Sequence, residues 1–310
     1  MCMKKAIITG ATGLVGSYVS KYLANNGIEV LCLGRKQLNN DEIRERFGSN
    51  NIEYLSIRME DILSLSSELQ KINWIPGKSC VFYNFAWGGS EKLTDGNFQD
   101  QFNNVIRSAN AVLSAKEIGC IKFINSGTLE ETYAEFFLND TKNNPPYSSS
   151  QTDYAIAKLA SRDMNKMVSY LQKIDYIHTR LSVPLDPELK KGGYISSVLR
   201  KIKDNLPYEI PKNKQLYDLI LLEDVAKAYH LIGIYGKNKS DYFIGTSKPK
   251  TLQEYFEISE KSKKGNLNKD ISEKRENSNY EFFSIMNLVN DTGFKLSYTY
   301  EEFIKSLHTS

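Results

Sequence analysis

The chain has 310 residues, of which 41% are hydrophobic and 25% charged, and this is typical of a globular protein with one large domain or two modest ones. Its 40 basic and 37 acidic residues leave a net charge of +3, which is too balanced to favour nucleic acid as a partner. No apolar stretch approaches the roughly 18 residues of a membrane span, and the N-terminus lacks the pattern of a signal peptide, so we expect a cytoplasmic protein that does not enter a membrane.

Strand-like and helix-like segments alternate along the first half of the chain. Short apolar runs predict strands at 5–9, 28–33, 52–57, 80–86, 121–125 and 175–183. Helical spacing of apolar residues predicts helices at 14–25, 98–118 and 153–171. This alternation predicts a parallel sheet covered by helices on both faces, which is a Rossmann-type doubly wound α/β fold.

The sequence changes in character after Pro184. Prolines and glycines crowd residues 184–211 around one predicted helix at 194–203, and residues 219–234 return to a strand followed by a helix. The polar stretch 263–278 predicts an exposed loop. We therefore predict a dinucleotide-binding domain over 1–183, rejoined by about 215–236, and a smaller C-terminal substrate-binding domain built from 184–214 and 237–310.

A glycine-rich turn follows the first predicted strand and opens the first predicted helix. Gly10 allows a tight turn, Gly13 allows the backbone to approach a pyrophosphate, and Gly16 allows the helix to pack close to the sheet. The N-terminus of the helix offers unpaired N–H groups to the phosphates. The residues that we assign to this dinucleotide site are Gly10, Thr12, Gly13, Leu14, Val15 and Gly16.

The end of the second predicted strand indicates which dinucleotide binds. Enzymes that use NAD commonly carry Asp or Glu there for the ribose 2′-hydroxyl. This chain has Arg35 and Lys36 instead and no acid, and a guanidinium binds a 2′-phosphate that a carboxylate would repel. We therefore predict NADP(H) as the preferred cofactor, held at this end by Arg35 and Lys36, with NAD as the alternative.

A phenol and an ammonium group stand four residues apart in Tyr154 and Lys158, and a helix would place both on one face. A lysine close to a tyrosine lowers the pKa of the phenol, and such a tyrosine can exchange a proton with a carbonyl oxygen while hydride moves at the carbon. Thr128 follows the fifth predicted strand, whose end lies on the cofactor side of a doubly wound sheet. We predict Thr128, Tyr154 and Lys158 as the catalytic residues.

With these motifs the sequence resembles the extended short-chain dehydrogenase/reductase family, the NAD(P)-dependent epimerase/dehydratase group that modifies nucleotide sugars. The resemblance covers nearly the whole chain. It is carried by the glycine-rich turn at 9–16, Asp61-Ile62, Asn84-Phe85-Ala86, Asn104, Thr128, and Tyr154 with Lys158.

The resemblance implies roles for further residues. Asp61 and Ile62 would flank the adenine, Thr128 would bind the substrate carbonyl, and Lys158 would hold the nicotinamide ribose. The cofactor-binding residues that it adds are Asp61, Ile62, Phe85, Ala86, Trp87, Asn104, Ser126, Leu181 and Val183, beside Tyr154 and Lys158 themselves. The substrate-binding residues that we expect are Trp87, Thr128, Leu129, Glu130 and Tyr217.

Several positions depart from the family pattern. Leu129-Glu130 replaces the Asp-Glu pair of the dehydratases, which disfavours dehydration because no acid is left there to expel a hydroxyl. Val183 and Tyr217 stand where nucleotide-sugar epimerases carry an Asn and an Arg that contact the substrate diphosphate. These differences disfavour a UDP-sugar epimerase.

The observations favour an NADPH-dependent reductase of a nucleotide-linked 4-keto-deoxysugar in surface-polysaccharide sugar biosynthesis, because a net reductase takes fresh NADPH at each turnover. One alternative is a nucleotide-sugar epimerase with tightly bound NAD(P), and a second is a reductase of a non-sugar ketone or aldehyde. A third is a non-catalytic dinucleotide-sensing protein on the same fold, although retention of Thr128, Tyr154 and Lys158 argues against it.

Metal binding and assembly complete the expectations. Four widely spaced cysteines and three histidines show no disulfide or metal-ligand spacing, so we expect no metal. The predicted helices at 98–118 and 153–171 resemble the dimer helices of the family. We expect a homodimer on that resemblance alone.

Overall fold

A computed structural model of the chain describes residues 3–89, 98–139, 152–210, 215–264 and 278–309. Cys2 and nearly all of the loop expected at 263–278 lie outside these residues. The described strands are β1 (Lys5–Thr9), β2 (Glu29–Gly34), β3 (Ile52–Ser56), β4 (Cys80–Asn84), β5 (Lys122–Thr128), β6 (Asp175–Leu181), β7 (Val183–Leu185), β8 (Leu216–Tyr217), β9 (Leu219–Leu221), β10 (Asp241–Ile244) and β11 (Lys250–Thr251). The α-helices are α1 (Leu14–Asn25), α2 (Asn40–Phe47), α3 (Leu65–Lys71), α4 (Phe98–Glu117), α5 (Leu129–Asn139), α6 (Thr152–Gln172), α7 (Tyr194–Lys203), α8 (Leu222–Tyr235), α9 (Leu252–Lys263), α10 (Met286–Thr292) and α11 (Tyr300–Thr309), and 3-10 helices cover Met59–Ser64 and Ser278–Phe283.

A parallel sheet of seven strands forms the centre of the molecule, in the order β10-β6-β5-β4-β1-β2-β3. Every neighbouring pair in it is parallel. The strand order reverses between β1 and β4, and ligands of open α/β sheets bind beyond the strand ends at such a reversal. The predicted Rossmann-type fold is confirmed, and the reversal places the glycine-rich turn beside the loop that follows β4.

Both faces of the main sheet are buried, which explains why its strands are continuously apolar. In β1, Ala6 and Ile8 pack in one apolar layer and Ile7 packs in the opposite layer. Helices α1, α8 and α10 cover the first layer, and α3, α4 and α6 cover the second.

A third apolar cluster lies outside the main sheet. Strand β7 pairs with β9 in parallel, and β8 pairs with β11 in antiparallel fashion. Helices α7, α9 and α11 pack together beside these short sheets, with Leu199, Phe256 and Phe303 buried among them. Strand β7 begins two residues after β6 ends, so this cluster is joined to the main sheet at the carboxyl end of β6.

The C-terminal boundary that we predicted for the main sheet needs a correction. Strand β10 lies within the segment 237–310 that was expected in the smaller domain, yet it pairs with β6 and completes the main sheet. The reason is apolar burial, since Tyr242 and Ile244 are fully buried in the layer that α1 and α8 cover. The other domain boundaries stay predictions.

The sequence pattern does not predict helices α2, α3 and α5, which the structure contains. Helix α2 has a capping box in which Asn39 and Glu42 bond each other's main chain, and it ends at Gly48 with a φ of 63°. Helix α5 begins directly after the last residue of β5, without an intervening loop. Among the described residues, no helix is long and apolar enough to cross a bilayer.

Candidate active site

The glycine-rich turn is pressed against the loop that follows β4. Gly10 has a φ of +65°, and a Cβ there would lie 2.8 Å from the Ala86 main-chain nitrogen. A Cβ on Gly16 would lie 2.3 Å from the Gly10 carbonyl oxygen. The Ala86 N–H also donates to Thr9 Oγ1 at 3.2 Å. Larger residues at either glycine would therefore force the turn away from the loop.

The N-terminus of α1 fits an anionic group. The helix begins at Leu14 with the exposed Gly13 as its N-cap. No side chain of the described residues caps this helix, and its first turn contains no acid. The Val15 side chain packs against the core, so the main chain of the turn is what a phosphate can reach. The unpaired N–H groups and the missing side chains of the glycines fit a dinucleotide pyrophosphate.

A cleft of about 680 Å³ lies beyond the ends of β2 and β3. Its lining includes Arg35 and Asp61, as the sequence predicts, together with Arg58. The lining does not include Lys36, which is exposed. Ile62 is fully buried in the core, so its side chain cannot flank an adenine and that prediction needs a correction.

Arg58 is a residue that the sequence analysis missed. It lies two residues beyond β3, whose last residue, Ser56, pairs with the last residue of β2, Gly34. The signal was available, because neighbouring parallel strands end at the same edge of a sheet. Arg58 approaches Glu60 at 3.7 Å, with 68% of its side chain exposed. The cleft therefore brings two guanidinium groups, Arg35 and Arg58, to the same edge.

The predicted catalytic residues meet at the end of β5. Thr128 is the last residue of β5 and pairs with Leu181 of β6, while Tyr154 and Lys158 lie one turn apart near the start of α6. The Tyr154 hydroxyl forms a hydrogen bond with the Thr128 side chain. The three side chains thus form one cluster, and a carbonyl oxygen beside the two hydroxyls would contact both.

Burial controls the protonation of this cluster. It raises the pKa of Tyr154, the hydrogen bond from Thr128 opposes the rise, and the charges of Glu131 and Glu130 add to it. Burial also lowers the pKa of Lys158 to about 8, although Glu131 opposes that change. The sequence-based expectation of a lowered phenol pKa is therefore wrong for this structure, because loss of hydration disfavours the phenolate.

Trp87 connects the loop after β4 to the catalytic cluster. Its ring centre lies 3.9 Å from Lys158 Nζ and 6.1 Å from the Tyr154 ring, which meets it edge-on. Its indole N–H donates to Gln101 Oε1 at 2.7 Å. Lys158 Nζ itself donates to the Ser126 carbonyl oxygen at 2.8 Å. Trp87 and Ser126 therefore both lie at the site, as predicted.

Asn104 and Phe85 support the same loop from behind. The Asn104 amide both accepts from the Gly88 N–H and donates to the Gly88 carbonyl, each at 3.0 Å. With only 5% of it exposed, Asn104 holds the loop in place. Phe85 is half-buried and packs edge-on against Tyr229 at 4.7 Å. Both residues therefore support the loop, Ala86 borders the turn, and their contacts with a cofactor stay predictions.

A comparison with known protein families shows which family this chain belongs to. Residues 6–245 match the family described as the NAD dependent epimerase/dehydratase family. The chain belongs to this family. It is therefore an enzyme of the extended short-chain dehydrogenase/reductase type.

Individual relatives of this family member are distant. The dTDP-6-deoxy-L-talose 4-dehydrogenase (NAD(+)) of Aggregatibacter actinomycetemcomitans is 25% identical over 250 residues, which are 80% of this chain and 86% of the relative. The structure of UDP-glucose 4-epimerase from Thermotoga maritima with UDP-glucose has a TM-score of 0.73 at 17% identity, covering 98% of this chain and 97% of that one. UDP-glucose 4-epimerase from Thermus thermophilus, in complex with NAD, has a TM-score of 0.72 at 16% identity and covers 98% of each chain. At these identities the solved structures establish the shared fold.

The predicted substrate residues of this family member are not all at the site. Leu129 is buried against Phe243 and Phe283, so its side chain cannot contact a substrate and that prediction needs a correction. Glu130 is half-buried beside Thr128, whose hydroxyl accepts from its N–H at 3.4 Å. Tyr217 lies on β8, and its hydroxyl donates to Gln215 Oε1 at 3.1 Å.

Val183 and a buried acid complete the description of the site. Val183 begins β7, and its N–H donates to the Asp218 carbonyl at 3.1 Å. Glu131, by contrast, is a residue whose position the sequence did not reveal. It is completely buried behind Thr128 and faces His178. Acidic residues are rarely buried without a partner, and the partner is distant in sequence.

Proposed function

We propose that this enzyme is an NADPH-dependent reductase of a nucleotide-linked 4-keto-6-deoxysugar. The observation that carries the proposal is the cleft beyond β2 and β3. Arg35 and Arg58 line it beside Asp61 and Glu68, and no carboxylate stands at the end of β2 itself. A guanidinium pair suits the 2′-phosphate of NADP(H), because charge-assisted hydrogen bonds to phosphate are strong. A preference for NADPH in turn favours net reduction over epimerisation, which restores its own cofactor.

The protonation of the site also supports reduction. Because burial raises the pKa of Tyr154, the phenol is protonated at neutral pH and ready to donate to the oxygen of a ketone. Thr128, hydrogen-bonded to Tyr154, would hold that oxygen. Lys158 would stabilise the phenolate left after donation, since its ammonium group lies 5.7 Å from the centre of the Tyr154 ring. The nicotinamide cofactor would supply the hydride.

The class of substrate is supported by a distant relative. The Aggregatibacter actinomycetemcomitans protein is named as a 4-dehydrogenase of dTDP-6-deoxy-L-talose. Reduction of a 4-keto-6-deoxysugar nucleotide is the reverse of such a 4-dehydrogenation. We therefore propose that this chain reduces position 4 of the same kind of sugar, with NADPH as the cofactor.

The test is to follow NADPH consumption with a nucleotide 4-keto-6-deoxysugar generated in the assay. Tyr154→Phe should reduce turnover by about 10²- to 10⁴-fold, as expected for loss of a general acid, without loss of NADPH binding. Tyr170→Phe is the matched control, because Tyr170 is exposed on the same helix, and it should leave turnover unchanged.

Three results would overturn the proposal. Equal use of NADH and NADPH would contradict the cofactor assignment. Absence of reduction in a protein that retains tightly bound dinucleotide would favour the epimerase instead, and reduction of simple ketones only would favour a non-sugar substrate.

A further inference from the structure

A carboxylate lies fully buried directly behind the catalytic threonine. Glu131 is 0% exposed, and both of its oxygens have partners. Oε1 accepts from the Thr128 N–H at 2.9 Å, and Oε2 lies 2.7 Å from His178 Nε2. A glutamate three residues after a helix N-cap commonly bonds the cap N–H at the surface. This one has a second, buried partner on β6, which an ordinary cap does not require.

His178 Nδ1, the ring nitrogen on the side away from Glu131, has two polar neighbours, the Asn125 amide and the Tyr176 hydroxyl, which lies 3.2 Å away. Asn125 Oδ1 accepts from Asn84 Nδ2 at 3.0 Å and from Ser108 Oγ at 3.3 Å. The donor end of the Asn125 amide therefore faces His178 Nδ1, at 3.5 Å. Because that amide nitrogen can only donate, it favours a ring that accepts at Nδ1 and donates from Nε2 to Glu131. The negative charge of the pair lies on the Glu131 carboxylate.

The chain leaves room for this pair at one position of β5. A Cβ on Gly127 would lie 2.3 Å from Glu131 Oε1 and 2.4 Å from His178 Nε2. Glycine at 127 is therefore what allows the carboxylate to approach the strand between Ser126 and Thr128. Both of those neighbours belong to the catalytic site, because Ser126 receives the Lys158 ammonium.

The charge of Glu131 acts on the groups that carry protons in the reaction. Burial would raise the pKa of Glu131, but His178, Lys158 and Arg180 outweigh it and hold that pKa below its usual value. The carboxylate is thus ionised at neutral pH. It opposes the fall in the pKa of Lys158 and adds to the rise in the pKa of Tyr154.

We propose that Glu131 and His178 form a positioning pair, which fixes the main chain of Thr128 and places a buried negative charge at the end of β5, beside the groups that hold protons in the reaction. This inference rests on the proposed proton donation by Tyr154. The pair touches neither substrate nor cofactor in this scheme. Its effect passes through the three residues at the end of β5 and the start of α6.

The kinetic test is the pH profile of turnover in Glu131→Gln. Glutamine keeps the size and the acceptor for Thr128 but removes the charge. In the wild type, turnover should fall as the pH rises through the pKa of Lys158, about 8. In Glu131→Gln the fall should begin about one pH unit lower, because the charge that favoured the ammonium form is gone.

Other titratable groups around the site are kept constant in this comparison. They are Glu130 and Tyr229, which face Tyr154, and His178, Tyr176, Arg180 and Lys158, which face Glu131. Glu135→Gln is the matched control on the same helix, since Glu135 pairs with Arg162 and Arg180. In Glu135→Gln, turnover should fall at the same alkaline pH as in the wild type. If Glu131→Gln lowers turnover but the pH at which turnover falls is the same as in the wild type, the proposal is overturned and only a structural role is left.

A second readout does not depend on activity. In protein labelled with ¹³Cε-lysine, the Lys158 signal is assigned by its loss in Lys158→Met, and its titration is followed by NMR. Glu131→Gln should lower the titration midpoint, and an unchanged midpoint would overturn the proposal. His178→Gln, which keeps a donor for Glu131, should stay closer to the wild type. If the wild type has no ketosugar reductase activity, the proposed function fails, whereas this titration still decides on the pair.

Discussion

Tyr154 illustrates how burial determines whether a side chain acts as an acid or as a base. An exposed tyrosine and a lysine one turn away would favour the phenolate, which is a base. Here the loss of hydration raises the pKa of Tyr154, so the phenol remains an acid. Lys158 retains its charge at neutral pH although only 5% of it is exposed, because its pKa falls only to about 8.

Arg35 and Arg58 make the choice of cofactor testable at the level of single residues. Arg35→Ala and Arg58→Ala should each weaken NADPH binding by about 1.5–3 kcal/mol, the usual loss for a hydrogen bond to a charged group, while NADH binding changes little. Dissociation constants for both cofactors can be measured by calorimetry. Arg44→Ala is the control, because Arg44 is exposed on α2 and does not line the cleft. Equal losses for NADPH and NADH would contradict the assignment of the 2′-phosphate site.

Local patterns in the sequence predict residues whose neighbours are also close in sequence. The spacing of Tyr154 and Lys158 and the glycines of the first turn are patterns of this kind. Arg58 and His178 are different, because each acquires its role from a strand that is distant along the chain. The place of Glu131 could not be predicted for the same reason, since no local feature distinguishes an exposed cap from a buried one.

At the scale of elements, the junction of β5 and α5 is the most constrained part of the site. Gly127→Ala would place a methyl group against Glu131 and His178, and overpacking of this kind costs about 1–3 kcal/mol of unfolding free energy. Urea unfolding of the variant should show that loss. In a Glu131→Ala background the same substitution should cost less, because one of the two clashes is gone. Equal costs in both backgrounds would show that Gly127 does not serve the pair.

The elements themselves differ in how well the sequence predicted them. The long apolar runs of β1, β4 and β6 and the periodicity of α1, α4 and α6 were sufficient for the sheet and its two layers. Strand β10 was not predicted, because a segment of four residues is too short to show a periodic pattern. Its place in the sheet depends on pairing with β6. Helix α3 was not predicted for a similar reason, since only Leu65 and Leu69 of its seven residues are buried.

At the scale of the whole molecule, helices α4 and α6 pack against each other and leave apolar side chains on the outside. Met164, Met167 and Leu171 follow helical spacing on α6 and are 49%, 59% and 69% exposed, and Ile106 of α4 is 60% exposed. We expect this face to form the homodimer. Light scattering after size exclusion should give the mass of two chains.

The dimer prediction has a matched pair of variants. Met167→Asp should give the mass of one chain, because a charge would be buried at the contact. Tyr235→Asp changes a residue that is 56% exposed on α8, and it should leave the dimer intact. A wild-type protein with the mass of one chain would refute the expectation.

The position of β10 has a consequence for how the chain folds as it is made. A ribosome releases residues in order, and domains begin to fold before synthesis ends. Thr128, Tyr154, Lys158 and β6 all emerge before β10, so the outer edge of β6 stays open while the next segments are synthesised. An open strand edge is a template for pairing with other chains. The nascent enzyme is therefore most exposed to aggregation in the interval between synthesis of its catalytic residues and synthesis of β10, the last strand of the main sheet.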